Sequence, residues 1–258
     1  MLNVFVLTYS GSKFTPEFFP EDDVVESFKV VKNSFDVYQA IPTTTALAFQ
    51  AQVTAFELFR LFARGPSREQ VSRSAVACLK LLEFPFSRRV RSQVSRSVLK
   101  SKAVRHGHEL LWGEAIKSDK PSLLLEDDAK LDVEKSNLFG ALRELASSSP
   151  KRFGVELSRS FSFQELGISR SQVATIAKVE GLGNLVSVSP GASNTTCAAF
   201  YSHETIEAMI ALSEKCFFDL LPIDYFIDYF YLINRKTVKN FHLTPGAFLQ
   251  GSEFRQAP

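Results

Sequence analysis

Ser122-Leu123-Leu124-Leu125-Glu126-Asp127-Asp128-Ala129 decides how this chain is read. Four strand-like residues, three of them leucine, run without a break into three consecutive carboxylates. An unbroken apolar run of this length predicts a strand buried on both faces, as in a parallel sheet flanked by helices. Such sheets bind ligands beyond the carboxyl ends of their strands, which is where Glu126, Asp127 and Asp128 fall. Adjacent carboxylates repel and raise one another's pKa unless a cation intervenes. Their hard oxygens suit Mg²⁺ or Mn²⁺, and a diphosphate can complete the octahedron. The competing interpretation of the triplet is a surface turn or a helix N-terminus, where acidic residues suit the dipole.

Outward from this stretch, strands and helices alternate. Val4-Phe5-Val6-Leu7 predicts a buried first strand that ends in the turn-forming Thr8-Tyr9-Ser10-Gly11-Ser12. Residues 22–28 read as a short helix and 35–38 as a second strand. Helices are expected over 45–62, 68–82, 88–114 and 134–147, with breaks at Gly65-Pro66-Ser67 and Phe84-Pro85-Phe86. Residues 153–157 and 197–201 read as strands, and Ser202 caps a helix carrying Ile206, Met209 and Ile210 on one face. Residues 180–193, rich in Gly and Ser, read as a loop around a short strand over 185–188. The alternation predicts an α/β domain with a largely parallel sheet. At 258 residues, without internal repeats or a long linker, the chain is expected to form one domain.

Composition narrows the function. The 24 phenylalanines read as core. Three cysteines, Cys78, Cys197 and Cys216, without CxxC spacing, argue against a disulfide framework and for a reducing, cytoplasmic setting. The start of the chain lacks the basic region of a signal peptide, and the apolar stretch 216–233 is broken by Asp219, Asp224 and Asp228, so no membrane span is expected. Residues 64–105 hold eleven Lys or Arg against two Glu, and Val90, Val94 and Val98 recur every fourth residue among them. This predicts a basic helical insertion facing an anionic partner, such as an acidic membrane leaflet or a phosphorylated saccharide, or else a solvated helix face. It has little aromatic interleaving and no recognisable nucleic-acid motif, so nucleic acid is not the expected partner.

Two further sets of residues are chemical candidates. Asp224 and Asp228 lie four residues apart among Tyr225, Phe226, Ile227, Tyr229 and Phe230, on one face of a helix whose apolar surround would raise a carboxylate's pKa. They are candidate general bases, the alternative being two solvated acids of an amphipathic helix. Of the four histidines, His108 reads as packing a helix against the sheet, His203 as the start of a helix and Trp112 as core.

Residues 108–128 resemble family 25 glycosyltransferases, which include lipooligosaccharide-biosynthesis and collagen hydroxylysine galactosyltransferases. That family has a Ser-His helix, an apolar strand and Leu-Glu-Asp-Asp-Ala. Here His108 to Ile116 and Ser122 to Ala129 follow the same order and spacing, with Gly107 in place of the Ser and Ala103-Val104 in place of a Gly-Cys. The opening strand, Ala198-Ala199-Phe200-Tyr201-Ser202, Pro222-Ile223-Asp224 and Leu243-Thr244-Pro245 to Gln250 are similar to further family segments in the same order. The resemblance implies a GT-A fold and an inverting transfer of a hexose from a nucleotide-diphosphate sugar, such as a UDP-hexose, to a hydroxyl of a saccharide or glycolipid. It implies Mn²⁺ or Mg²⁺ held by Asp128, with Glu126 and His242 as further ligands. Thr8, Tyr9, Glu126 and Asp127 then contact the nucleotide sugar, and Asp224, in the Pro-x-Asp position, or Asp228 is the base. The alternative is an interaction protein that keeps the fold but has lost catalysis.

Overall fold

The computed structural model describes residues 2–8, 25–33, 40–215 and 219–250. Strand β1 (Leu2–Thr8) and strand β3 (Ser122–Glu126) are its centre, paired in parallel with Val4 opposite Leu123 and Val6 opposite Leu125. Every residue of both strands is buried. On β1, Leu2, Val4 and Val6 enter one core layer, and Phe5 and Leu7 enter the other. The two-residue period of a strand divides a continuous apolar run between two covered faces in this way.

The full sheet has eight strands. The others are β2 (Val25–Lys32), β5 (Phe153–Glu156), β6 (Val173–Val179), β7 (Gly183–Val188), β8 (Ala198–Tyr201) and β9 (Lys239–Thr244). Their order is β2-β1-β3-β8-β5-β9-β7-β6, and only β8 and β7 run against the rest. The fold is therefore α/β with a large mixed, mostly parallel sheet, compatible with a Rossmann-like arrangement. A second small sheet pairs β4 (Ala129–Leu131) with β10 (Phe248–Gln250), so the acidic run ends in a two-residue turn between β3 and β4. Residues 25–28, expected to be helical, belong to β2: pairing with β1 outweighs a short local helical preference. The expected loop over 180–193 likewise contains β7, paired with β9. The strand expected over 35–38 lies outside the described residues.

Helices cover both faces. One face packs Leu138, Phe139 and Leu142 of α4 (Lys135–Ser148). The other packs α3 (Arg88–Ala115) through Leu111 and Trp112, α5 (His203–Ser213) through Ile206 and Met209, and α6 (Ile223–Ile233) through Phe226, Ile227 and Phe230. Ser202 caps α5 by accepting from Thr205 N–H at 3.3 Å. The basic segment forms α2 (Arg68–Glu83) and the larger, N-terminal part of α3, which together with α1 (Thr43–Arg64) make a helical layer. Val90, Val94 and Val98 bury against Ala46 and Phe49 of α1, so the apolar face of this segment is core. Among the described residues no helix is long and apolar enough to cross a membrane.

Gly107 lets α3 reach the sheet. A Cβ there would stand 2.8 Å from Asn33 Nδ2 and 2.9 Å from Leu7 Cδ2. Neither can yield freely, because Leu7 is fully buried and Asn33 donates to Ala103 O at 2.7 Å. Gly107→Ala is expected to lower stability by about 1–3 kcal/mol, the usual range for an overpacked contact. Urea denaturation measures it, and an unchanged midpoint and slope would show that the helix has room to move.

Candidate functional site

Burying a carboxylate is costly unless it is hydrogen-bonded and paired. Glu126, at the carboxyl end of β3, is buried and has both kinds of partner. His108 Nε2 lies 3.0 Å from Glu126 Oε1, and Thr196 Oγ1 donates to the same oxygen at 2.6 Å. Burial opposes the charge, but the hydrogen bond and charge of His108, the Thr196 hydroxyl and nearby Lys100 together hold the Glu126 pKa below the ordinary value. His108 thus does more than pack α3 on the sheet.

Thr196 is delivered by the loop that enters β8. Thr195 has φ 74°, a conformation costing a β-branched residue on the order of 1–3 kcal/mol. The neighbouring Asn194 restrains it: its N–H donates to Glu156 Oε2 at 3.1 Å, its Nδ2 donates to Ser158 O at 3.0 Å, and its Oδ1 accepts from Phe161 N–H at 2.9 Å. Glu156 ends β5 as Glu126 ends β3. Full burial, only partly offset by Asn194 and Tyr231, raises its pKa to about 8, so it is protonated at neutral pH.

Asp224 and Asp228 both sit on α6, but their surroundings differ. Asp224 Oδ1 is buried and lacks a hydrogen-bond partner. Desolvation and the charge of Glu126 push its pKa up to about 6, although His108 and a hydrogen bond with Thr196 act the other way. Asp228 is clamped. Arg60 Nε lies 2.9 Å from its Oδ2, Arg64 Nη1 donates to Oδ2 at 3.1 Å, and Arg64 Nη2 pairs with Oδ1. Ser193 N–H also donates to Oδ1 at 3.2 Å. The two acids are therefore not the solvated face of an amphipathic helix.

Glu126, Thr195, Thr196 and Asp224 line a cavity of about 640 Å³. That is the size of a small-molecule site. The same cavity is lined by Arg73 and Lys80 of α2 and Lys100 of α3. Carboxylates at the end of β3 and on α6 thus share one space with cations of the helical layer. Gln250 of β10 also reaches it.

The other sequence candidates lie elsewhere. Thr8 is buried at the end of β1 and does not line this cavity, and Tyr9 is outside the described residues. Asp127 and Asp128 occupy the partly exposed β3–β4 turn. His242 lies on β9, opposite Glu156 and three strand spacings from β3, roughly 14 Å across the sheet. Its Nε2 is 3.1 Å from Ala192 O and 3.0 Å from Asn240 Oδ1, and burial lowers its pKa to about 3. The set Asp128, Glu126 and His242 is not brought together, and no group of three or more His, Cys, Asp or Glu suited to a metal occurs among the described residues.

His108, Thr196, Glu156 and the three cations were not singled out as site residues from the sequence. Glu156 carried a usable signal, since it closes an apolar strand in the same way as Glu126. Thr196 and the cations carried none, because only tertiary folding brings them to the cavity. Searches of the chain against protein-family models and against curated proteins return no match.

Two stability predictions follow from the burial of these acids. Asp228→Asn leaves Arg64 buried without its paired carboxylate and Arg60 with only Glu57, 3.4 Å away, and is expected to cost about 3–5 kcal/mol. Asp224→Asn removes a charge that burial already disfavours and should cost less than about 1 kcal/mol. Similar losses in urea denaturation would contradict the distinction. For Glu156 the folded pKa, about 8, exceeds its ordinary 4.5. Its contribution to stability is therefore full below pH about 4.5 and is lost as pH rises through about 8. Glu156→Gln should flatten that part of the stability–pH profile, and a parallel profile would show another group to be responsible.

Proposed function

We propose that this chain is an inverting hexosyltransferase of GT-A type, using a nucleotide-diphosphate sugar and a saccharide or glycolipid hydroxyl. The reading rests on one juxtaposition: a carboxyl with a raised pKa, Asp224, lines the same cavity of substrate size as Arg73, Lys80 and Lys100. Transfer needs a group to take the acceptor proton and a group to receive the charge of the departing diphosphate. Asp224 suits the first and Arg73, Lys80 and Lys100 suit the second. The acceptor oxygen bonds to the anomeric carbon as the bond from that carbon to the diphosphate oxygen breaks. The electron pair leaves on the diphosphate, and the acceptor proton passes to Asp224. Glu126, held ionised by His108 and Thr196, keeps Asp224 inclined to accept a proton.

A divalent cation, where it accompanies the donor, would be held by Asp127 and Asp128 and would neutralise diphosphate charge. The cations lining the cavity supply the same kind of stabilisation from the protein. The non-catalytic alternative predicts nucleoside-diphosphate binding in the same cavity without turnover.

Incubating a panel of nucleotide sugars with the protein, in Mn²⁺ and in chelator, tests the reading through release of nucleoside diphosphate. One donor is expected to be hydrolysed slowly in the absence of an acceptor. With an acceptor, Asp224→Asn should reduce turnover by roughly 10²–10⁴-fold at nearly unchanged donor affinity. In the parent protein kcat/KM should climb as pH rises to about 6 and level off above it, because the base must be unprotonated. Arg73→Gln and Lys100→Gln should instead weaken donor binding. Binding with no turnover of any donor would favour the interaction protein, and no binding of any nucleoside diphosphate would end both readings.

A further inference from the structure

Three large apolar side chains of the α2–α3 hairpin face water: Leu79, Leu82 and Phe86 are 56%, 68% and 88% exposed. Val76, also exposed, extends the row by one helical step. Spacings of three, three and four residues put the row on one side of α2 and carry it into the turn. Scattered exposed apolar residues need no explanation, but a contiguous row at the tip of a hairpin marks an interaction surface.

The tip is held rigidly. Phe84 is buried in the cluster formed by Ala46, Phe49, Val90, Val94 and Val98. Phe86 N–H donates to Glu83 O at 3.0 Å, and the Ser87 side chain caps α3 by accepting from Val90 N–H at 3.3 Å. Arg91 Nη1 donates to Phe84 O at 3.2 Å and to Pro85 O at 2.8 Å. Phe86 is thus presented outward by a fixed turn. Beside it stand the exposed cations Lys80, Arg88 and Arg89, against Glu83 as the one acid at the tip.

We propose that the α2–α3 hairpin docks on an anionic lipid bilayer, with Phe86, Leu82 and Leu79 entering the headgroup–acyl boundary and Arg88 and Arg89 facing lipid phosphates. Apolar side chains ringed by cations match that surface in both depth and charge. A second copy of the chain fits poorly, because a twofold contact through this face would set like charges against each other. Val76 and Lys80 also line the cavity, so the docked edge adjoins the cavity mouth. The docking itself does not depend on the transferase reading.

Vesicle flotation with the full chain tests it, using phosphatidylcholine alone and phosphatidylcholine with phosphatidylglycerol at low and high salt. The parent protein should float with the anionic vesicles and be released by salt, since exposed charges are screened beyond about 10 Å at 0.1 M. Phe86→Ser should weaken binding on the order of tenfold. Arg88→Ser combined with Arg89→Ser should weaken it on the order of 30-fold and remove the preference for anionic lipid. All three positions are exposed, so thermal melting and nucleoside-diphosphate affinity should match the parent. Absence of the parent from anionic vesicles at low salt, or equal binding by parent and variants, would overturn the proposal. So would a dimer in solution that Phe86→Ser dissolves while no species binds vesicles, which would assign the row to a contact between copies.

Discussion

The ionised carboxylate of Glu126 at the end of a buried strand constrains much of the surrounding architecture. β3 is buried on both faces, so the charge where the strand stops is largely desolvated. The protein supplies His108 from one side and Thr196 from the other. To deliver His108, α3 must pass close over β1, and only a residue without a side chain fits at Gly107. To deliver Thr196, the loop into β8 must accept a strained Thr195, and Asn194 must be fastened to β5 through Glu156 and Ser158. The long helix, the strained loop and the second strand-ending glutamate are tied to one buried charge, which only a well-satisfied network can support.

The same logic separates the two aspartates of α6. They are one helical turn apart, yet Asp228 is neutralised by two guanidinium groups whereas Asp224 meets mainly burial and another carboxylate. The Asp228 network joins α1, α6 and the loop before β8, since Arg64 also donates to Gly191 O at 2.6 Å. That loop carries Thr196, so the clamp at Asp228 helps fix the group beside Asp224. Differing surroundings for paired carboxyls are a recognised route to distinct structural and acid–base roles.

The central strands were legible because burial on both faces requires an unbroken apolar run, and 123–125 and 4–7 have one. The helices over 43–64, 68–83 and 88–115 were legible within a few residues from their spacing and breaks. β2 was not, because its pairing with β1 is non-local and nothing local in 22–28 announces a strand. In the site, Glu126 and Asp224 stood out as strand-end and helix-face carboxylates. That Asp228 is clamped depends on Arg60 and Arg64, more than 160 residues earlier. His242 had the right residue type for a ligand but the wrong strand, and the order of strands across a sheet is a tertiary property.

The basic segment shows most plainly why a charge count underdetermines function. Its surplus is one number in the sequence but four populations in space. Arg64 is spent on Asp228, Arg105 on Glu109 and the face of Phe226, and Arg91 on the turn it closes. Arg73, Lys80 and Lys100 line the cavity, while Arg88 and Arg89 remain at the hairpin tip. Buried and turn-bound arginines satisfy local acceptors and contribute little field outside the protein, so they cannot attract a distant anion. What remains is a group lining the cavity and an outward group to which the exposed Arg68 and Arg96 also belong, with the exposed Lys80 lying between the two. Both are mounted on α2 and α3, each of which packs on α1, α3 through Val90, Val94 and Val98 and α2 through Gln70 and Ala77. The hairpin therefore carries cations toward the cavity and toward the tip on one packed element, and Val76 and Lys80 of α2 stand between the two.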